Sequence, residues 1–267
     1  MIGSYGSISS NLSSIYNDTS RMLYGALARI ASGKKFQSAS EDLIGYLKSE
    51  RLETDISGYG EIRENLTTYK MYTTAAVSAA SDIYENLTDM KELSLMYDDA
   101  AAASNADLMA QYTAEFNSLK AQVNTALSST FVDGINVADE SALEGLAALN
   151  LDPDGLGTLA FAFNADMPAN VDALVVTTAN GTDVDAQLSQ ALTYMEETKA
   201  YDAIIDQQLN INETIINSKE AVKSLITDID EAEEMNNVVE LQIRQQASMA
   251  MLAQGNLVAG SLLKLYE

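Results

Sequence analysis

Residues 245–267 read QQASMAMLAQGNLVAGSLLKLYE, and from Gln245 to Leu263 they carry no charge in a chain whose formal net charge is −24. A helix that crosses a bilayer needs about 20 mostly apolar residues. Here Gln245, Gln246, Ser248, Gln254, Asn256 and Ser261 interrupt the run, so it reads as a helix face meant for another protein helix. The residues before it agree. Val222, Leu225, Ile229, Ala232, Asn236, Val239 and Ile243 follow alternating steps of three and four, and Ala250, Ala253 and Leu257 keep the register. That spacing holds one seam of a helix against a partner.

A second seam lies far upstream. Leu66, Tyr69, Thr73, Ala76, Ala80, Ile83, Leu87 and Met90 take the same steps. Its alanines allow close approach, while Thr73, like Asn236 in the other seam, costs stability and fixes register. Residues 1–130 and 199–267 contain no proline. Residues 131–198 hold both prolines (Pro153, Pro168), twelve acidic residues and no basic ones. Within them GTLAFAF (157–163) and VDALVVTTANG (171–181) are short runs closed by turn residues, expected as strands of one or two hairpins. The fold class is therefore mostly α: long paired helices forming a coiled-coil-like bundle from both chain termini, with a small β-hairpin-containing insert.

Composition removes several functions. Cysteine and histidine are absent, which excludes disulfides, a Ser–His relay and an ordinary zinc site. Fifteen basic against 39 acidic residues argue against nucleic acid and anionic lipid as partners. The stretch MIGSYGSISSNLSSIYNDTS lacks a charged n-region and an apolar h-region, so no cleaved secretory signal is expected.

Three features invite a site and receive plainer readings. NLDPDG (Asn150–Gly155) begins like a calcium loop, but Phe161 stands where the twelfth-position carboxylate belongs, and an Asx-Pro turn accounts for the same residues. Asp228, Asp230, Glu231, Glu233 and Glu234 read as a solvated or packing-related helix face. Met249 and Met251, with Tyr16, Tyr24, Tyr46, Tyr59, Tyr69 and Tyr72, read as packing residues. No catalytic, metal or cofactor-binding residue is assigned, and the chain is not expected to be an enzyme.

Two stretches carry a resemblance. RIASGKKFQSASEDLIGYLKSER (Arg29–Arg51) resembles the segment after the first helix of bacterial flagellins through Arg29, Gly33, Ser38, Ala39, Glu41, Asp42, Gly45 and Arg51. QQASMAMLAQGNLVAGSLLKLYE is similar to the terminal helix of that family, and Asp228 and Asp230 match an Asp-x-Asp upstream of it. Leu87–Tyr97, with Lys91, Glu92 and Leu93, is similar to the family's first outer-core helix. The chain departs from the family at Lys264, Tyr266 and Glu267, and at Ala259, where a proline is common. It also departs at Asp89, where family members read by the innate immune receptor for flagellin carry an arginine.

The resemblance implies a structural subunit that self-assembles into the bacterial flagellar filament, exported without a cleaved signal. Residues 1–45 with 228–267 would form an inner coiled-coil domain, 46–130 with 185–227 a helical shell, and 131–184 a reduced outer part. The assembly interface would include Leu12, Ile15, Met22 and Leu23, then Arg29, Gly33, Asp42 and Arg51, then Leu87. At the other end it would include Ile229, Val239, Ile243, Leu252, Gln254, Asn256, Val258 and Leu263. Expected partners are other copies of the chain, hook-associated and cap proteins and a secretion chaperone. Both termini are expected to be largely disordered in the free chain and to fold on polymerisation. The alternatives are a hook–filament junction protein and a secreted coiled-coil binding module or adhesin. MLAQGNLVAG, and Ser38–Ser40 without a proline, favour the filament subunit.

Overall fold

The computed structural model describes residues 2–165, 167–177 and 181–266, with all side chains except those of 2–9, 181, 182, 256 and 259–266. In chain order the elements are α1 (Ile2–Ser32), α2 (Leu43–Ala102), α3 (Ala106–Ser129), β1 (Phe131–Val132), β2 (Ile135–Asn136), α4 (Glu140–Glu144), β3 (Leu149–Asn150), β4 (Thr158–Leu159), α5 (Gly181–Thr227) and α6 (Glu231–Tyr266). The chain divides into a first unit, residues 1–54 with 218–267, and a second, residues 55–217.

In the second unit the upstream seam is the core. Leu66, Thr73, Ala76, Ala80, Ile83, Leu87 and Met90 on α2 are all buried, with Phe116, Val123 and Leu127 of α3 and Val184, Ala191, Tyr194 and Ile205 of α5. Thr73 is tolerated there because its hydroxyl donates to Asp202 Oδ1 at 2.8 Å, as does that of Thr74 at 3.1 Å. Lys70 Nζ donates to Asp202 Oδ2 at 2.9 Å and to Asp206 Oδ2 at 2.5 Å. Burial alone would raise the Asp202 carboxyl; the hydrogen bonds from Lys70, Thr73 and Thr74 outweigh it and hold it below its ordinary value.

Residues 131–177 hold two hairpins of two-residue strands. β1 and β2 pair antiparallel with Val132 opposite Ile135, around Asp133 (φ +49°) and Gly134 (φ +80°), the left-handed pair that a two-residue hairpin turn requires. β3 pairs with β4, Leu149 opposite Leu159. Between them Asp152 accepts from the amides of Leu156 (2.9 Å) and Gly157 (2.5 Å), and Gly155 turns at φ +70°. The NLDPDG motif is a turn whose carboxylate already holds backbone N–H groups. Those bonds lower the Asp152 carboxyl. The turn packs on α2 at Gly58, where a Cβ would meet Pro153 at 3.0 Å.

The strand expectation for residues 157–163 and 171–181 is corrected. Only Thr158–Leu159 is paired, and residues 171–177 form no strand; residues 178–180 lie outside the description. The backbone of these runs is hydrogen-bonded by helix side chains rather than by a ladder. Tyr201 Oη accepts from Ala162 N (2.8 Å), Glu144 from Phe163 N (2.6 Å), and Glu197 from Asn164 N (2.9 Å) and Ala165 N (3.3 Å). Asn124 Oδ1 accepts from Val171 N at 2.8 Å, and Lys120 Nζ donates to the carbonyls of Asp172 (3.2 Å) and Leu174 (3.1 Å). Phe161, Val171, Leu174 and Val176 of these runs are buried, Leu159 and Phe163 are half-buried, and Val175 is exposed. Hydrophobicity suited burial, and burial did not need a sheet.

Candidate assembly interface

The first unit is built on one pairing, that of α1 with α6. On α1 Leu12, Tyr16, Thr19, Leu23, Ala26 and Ile30 step by four and three; on α6 Glu234, Val238, Leu241, Gln245, Ser248 and Leu252 do the same. The helices run antiparallel, since Arg29 meets Glu234 while Ser20 meets Gln245 further along. Arg29 Nη2 lies 2.6 Å and Nε 3.0 Å from Glu234 Oε1, and Gln245 Nε2 donates to Ser20 Oγ at 2.9 Å. Among the described residues, Leu23, Ala26, Val238 and Leu241 are the buried apolar side chains of this seam. Three large ones and an alanine contribute on the order of 5–8 kcal/mol, which is thin for the stretches whose side chains are described, 10–32 of α1 and 231–255 of α6.

The loops at one end of this pair are clasped together. Lys35 N donates to Thr227 O (2.6 Å) and Ile229 N to Gly33 O (3.1 Å), with Lys34 and Asp228 paired as an isolated antiparallel bridge. Lys34 Nζ reaches Asp228 Oδ1 at 2.7 Å. Hydrogen bonds from Lys34, then Ser224 and Thr227, pull the Asp228 carboxyl down to about 2. Gly33 turns at φ +69° after the end of α1, as a helix C′ glycine does. Asp230 accepts from Ala232 N (2.9 Å) and Glu233 N (3.2 Å), capping α6. Asp42 accepts from Gly45 N at 2.9 Å. A Cβ on Gly45 would meet the Asp42 carboxylate at 2.4 Å and Phe36 at 2.9 Å, so a larger residue there would displace the capping carboxylate. The acidic run Asp228–Glu234 thus divides its work: one residue clasps, one caps and one pairs with Arg29.

What this pairing leaves open is extensive. Val222, Leu225, Met235, Val239, Ile243 and Leu257 are exposed. Ala232, Asn236, Val239 and Ile243 sit roughly 150° around α6 from the α1-facing seam, at 100° per residue. On the other flank Arg21, Met22, Gly25 and Arg29 of α1 and Leu241 and Arg244 of α6 line a cleft of about 450 Å³. At the start of α2, Leu43, Ile44 and Leu47 are exposed as well.

The sequence-based residues fall into groups. Ile15, Met22, Val239, Ile243 and Val258 are exposed apolar side chains, and Arg51 and Gln254 are exposed polar ones. Leu12, Ile229 and Leu252 are half-buried. Leu23 is buried against α6 and Leu87 in the second unit's core, so both hold the subunit itself together. Arg29, Gly33 and Asp42 make the ion pair, turn and cap described above. The side chains of Asn256 and Leu263 lie outside the described residues. The sequence reading missed Val238, Leu241 and Ser248, the register that α1 fills, because α6 carries two heptad registers and the more apolar one drew notice. It also missed Lys34 and Thr227 of the clasp, for which the sequence offers no periodic signal.

Residues 4–142 match the family described as the bacterial flagellin N-terminal helical region, and residues 182–266 match the bacterial flagellin C-terminal helical region. The chain belongs to the bacterial flagellin family. It is 24% identical over 252 residues to the flagellin of Listeria innocua, covering 86% of this chain and 87% of that one. With the flagellar filament 30.7 kDa core protein of Treponema maltophilum it shares 25% over 294 residues, 97% and 99% of the two chains. With flagellin FljK of Caulobacter vibrioides it shares 23% over 261 residues, 94% and 93%. As a flagellin it is a structural subunit of the flagellar filament, a helical assembly that serves motility. No helix among the described residues is long and apolar enough to cross a membrane.

Proposed function

We propose that polymerisation is carried by the open faces of the first unit: Ile15 and Met22 on α1, and Val239, Ile243 and Val258 on α6. Arg51, Gln254, Asn256 and Leu263 are added to the interface by the family resemblance alone. Leu12, Leu23, Arg29, Gly33, Asp42, Ile229 and Leu252 serve it indirectly, by fixing the pair that presents it, and Leu87 by supporting the shell. The observation that carries the proposal is the exposed register on α6, an apolar stripe on a helix whose other register is already occupied. In the filament, residues 1–45 with 228–267 form the inner domain, 46–130 with 185–227 the shell and 131–184 the outer part. The thin α1–α6 seam supports coupled folding: in the free chain the pair opens readily, and assembly completes it. The chain performs no catalysis. It is exported to the flagellum, meets hook-associated and cap proteins at the filament ends, and travels with a chaperone on α6.

The test is negative-stain electron microscopy of the full chain and of a chain lacking residues 228–267, each after seeding. Long uniform filaments from the first and none from the second are expected. Filaments from both would remove α6 from the interface.

A further inference from the structure

Four methionines stand on the faces that the α1–α6 pair leaves open. Met22 is 59% exposed, Met235 50%, Met249 56% and Met251 52%; in the second unit Met90 and Met167 are buried, while Met71 and Met96 are exposed on α2, outside these faces. The chain has no cysteine, so thioether sulfur is its only oxidisable sulfur. Met22 lines the cleft beside Arg21 and Arg244, and Met251 lies seven residues beyond Arg244 on the same line of α6. Met235 and Met249, fourteen residues apart, share a second line that borders the stripe of Val239. Filling gaps in a core, the usual work of methionine, does not apply to side chains this exposed.

We propose that these four thioethers form an oxidation site that controls assembly: hydrogen peroxide converts them to sulfoxides in the free chain, and the oxidised chain does not polymerise. The proposal rests on the assembly reading given above. The sulfur lone pair attacks one peroxide oxygen, the O–O bond breaks, an S–O bond forms and water leaves. Sulfur loses two electrons and the peroxide gains them. Each sulfoxide replaces a flexible apolar group with a polar, chiral one, on faces whose use depends on being apolar. Inside a filament the same sulfurs are covered, so the site acts on subunits before they assemble.

The full chain and the variant Met22→Leu/Met235→Leu/Met249→Leu/Met251→Leu are exposed to peroxide, mapped by peptide mass spectrometry and seeded. Leucine keeps volume and apolarity, and the variant retains the exposed Met71 and Met96 as internal controls. Peroxide should lower the polymerised fraction of the natural chain about tenfold or more and change that of the variant less than about twofold. Equal loss in both, or an oxidised natural chain that polymerises undiminished, overturns the proposal. An untreated natural chain that forms no filaments overturns the assembly reading instead. Should the variant itself fail to polymerise, peroxide footprinting of preformed natural filaments decides. The four sites should then oxidise about tenfold more slowly than in the free chain, and equal rates would overturn the proposal.

Discussion

The two units of this chain use similar helices to opposite ends. Among the described residues, the unit of residues 55–217 buries 29 hydrophobic side chains and exposes nine large ones; that of residues 1–54 and 218–267 buries four and exposes sixteen. Charge divides the same way. The first unit carries ten basic and thirteen acidic residues, the second five and twenty-six. A unit that fills its own core can carry a net charge of −21 and stay soluble and separate from its neighbours. One that leaves its seams open and stands near −3 is suited to meet copies of itself. A heptad pattern says that a helix has a partner, but not whether that partner lies in the same chain.

Charging the open stripe should have the largest effect. Val239→Glu with Ile243→Glu should abolish filament formation, since each site loses about 1.5–3 kcal/mol of apolar burial and gains a carboxylate that must be desolvated. Thermal unfolding of the second unit should not move. Sedimentation for assembly and circular dichroism for unfolding report the two effects; a matched fall in both would erase the distinction.

Leu87→Ala should act on the second unit instead. Leu87 is buried in the second unit's core, so truncation should cost about 2–5 kcal/mol of that unit's stability, read by denaturant unfolding. Leu23→Ala, in the thin seam of the first unit, should instead raise amide exchange along α1 and α6, by a free energy of about 2–3 kcal/mol, and leave the core amides of Leu66–Met90 unchanged.

Smaller effects follow from charge. Added salt should promote polymerisation, because screening shortens from about 30 Å at 0.01 M to about 8 Å at 0.15 M ionic strength and relieves repulsion between second units. Turbidity against sodium chloride gives the slope, and a falling one would contradict the assignment. The clasp has a pH signature. Asp228 sits at about 2 against an ordinary 3.8, a depressed value, so its contribution is complete above about pH 4–5 and is lost as pH falls through 2. Because the pair is largely exposed, Asp228→Asn should cost under about 1 kcal/mol at pH 7 and flatten the acid limb of the stability curve.

Much of this was legible in the sequence. The seam Leu66–Met90 announced the core of the second unit, because identical spacing over seven turns leaves one face to bury. Gly33 and Asp42 were legible through resemblance, and the structure supplies their reasons: a left-handed turn, and a cap whose carboxylate lies against Gly45. The insert was harder. VDALVV looks like a strand because burial and β-propensity favour the same residues, and no local signal says that Asn124 and Lys120, some fifty residues away, will take its backbone bonds. On α6 the richer register was the outward one, so the inward line of Val238, Leu241 and Ser248 became visible only beside α1.

The most direct test of the account is amide exchange on the free chain and on the assembled filament, compared residue by residue. Assembly should protect α1 and α6 strongly while amides across Leu66–Met90, already protected by their own core, change little. Equal protection of α1 and α6 in both states would mean that the first unit is complete by itself, and that its open faces are not what builds the filament.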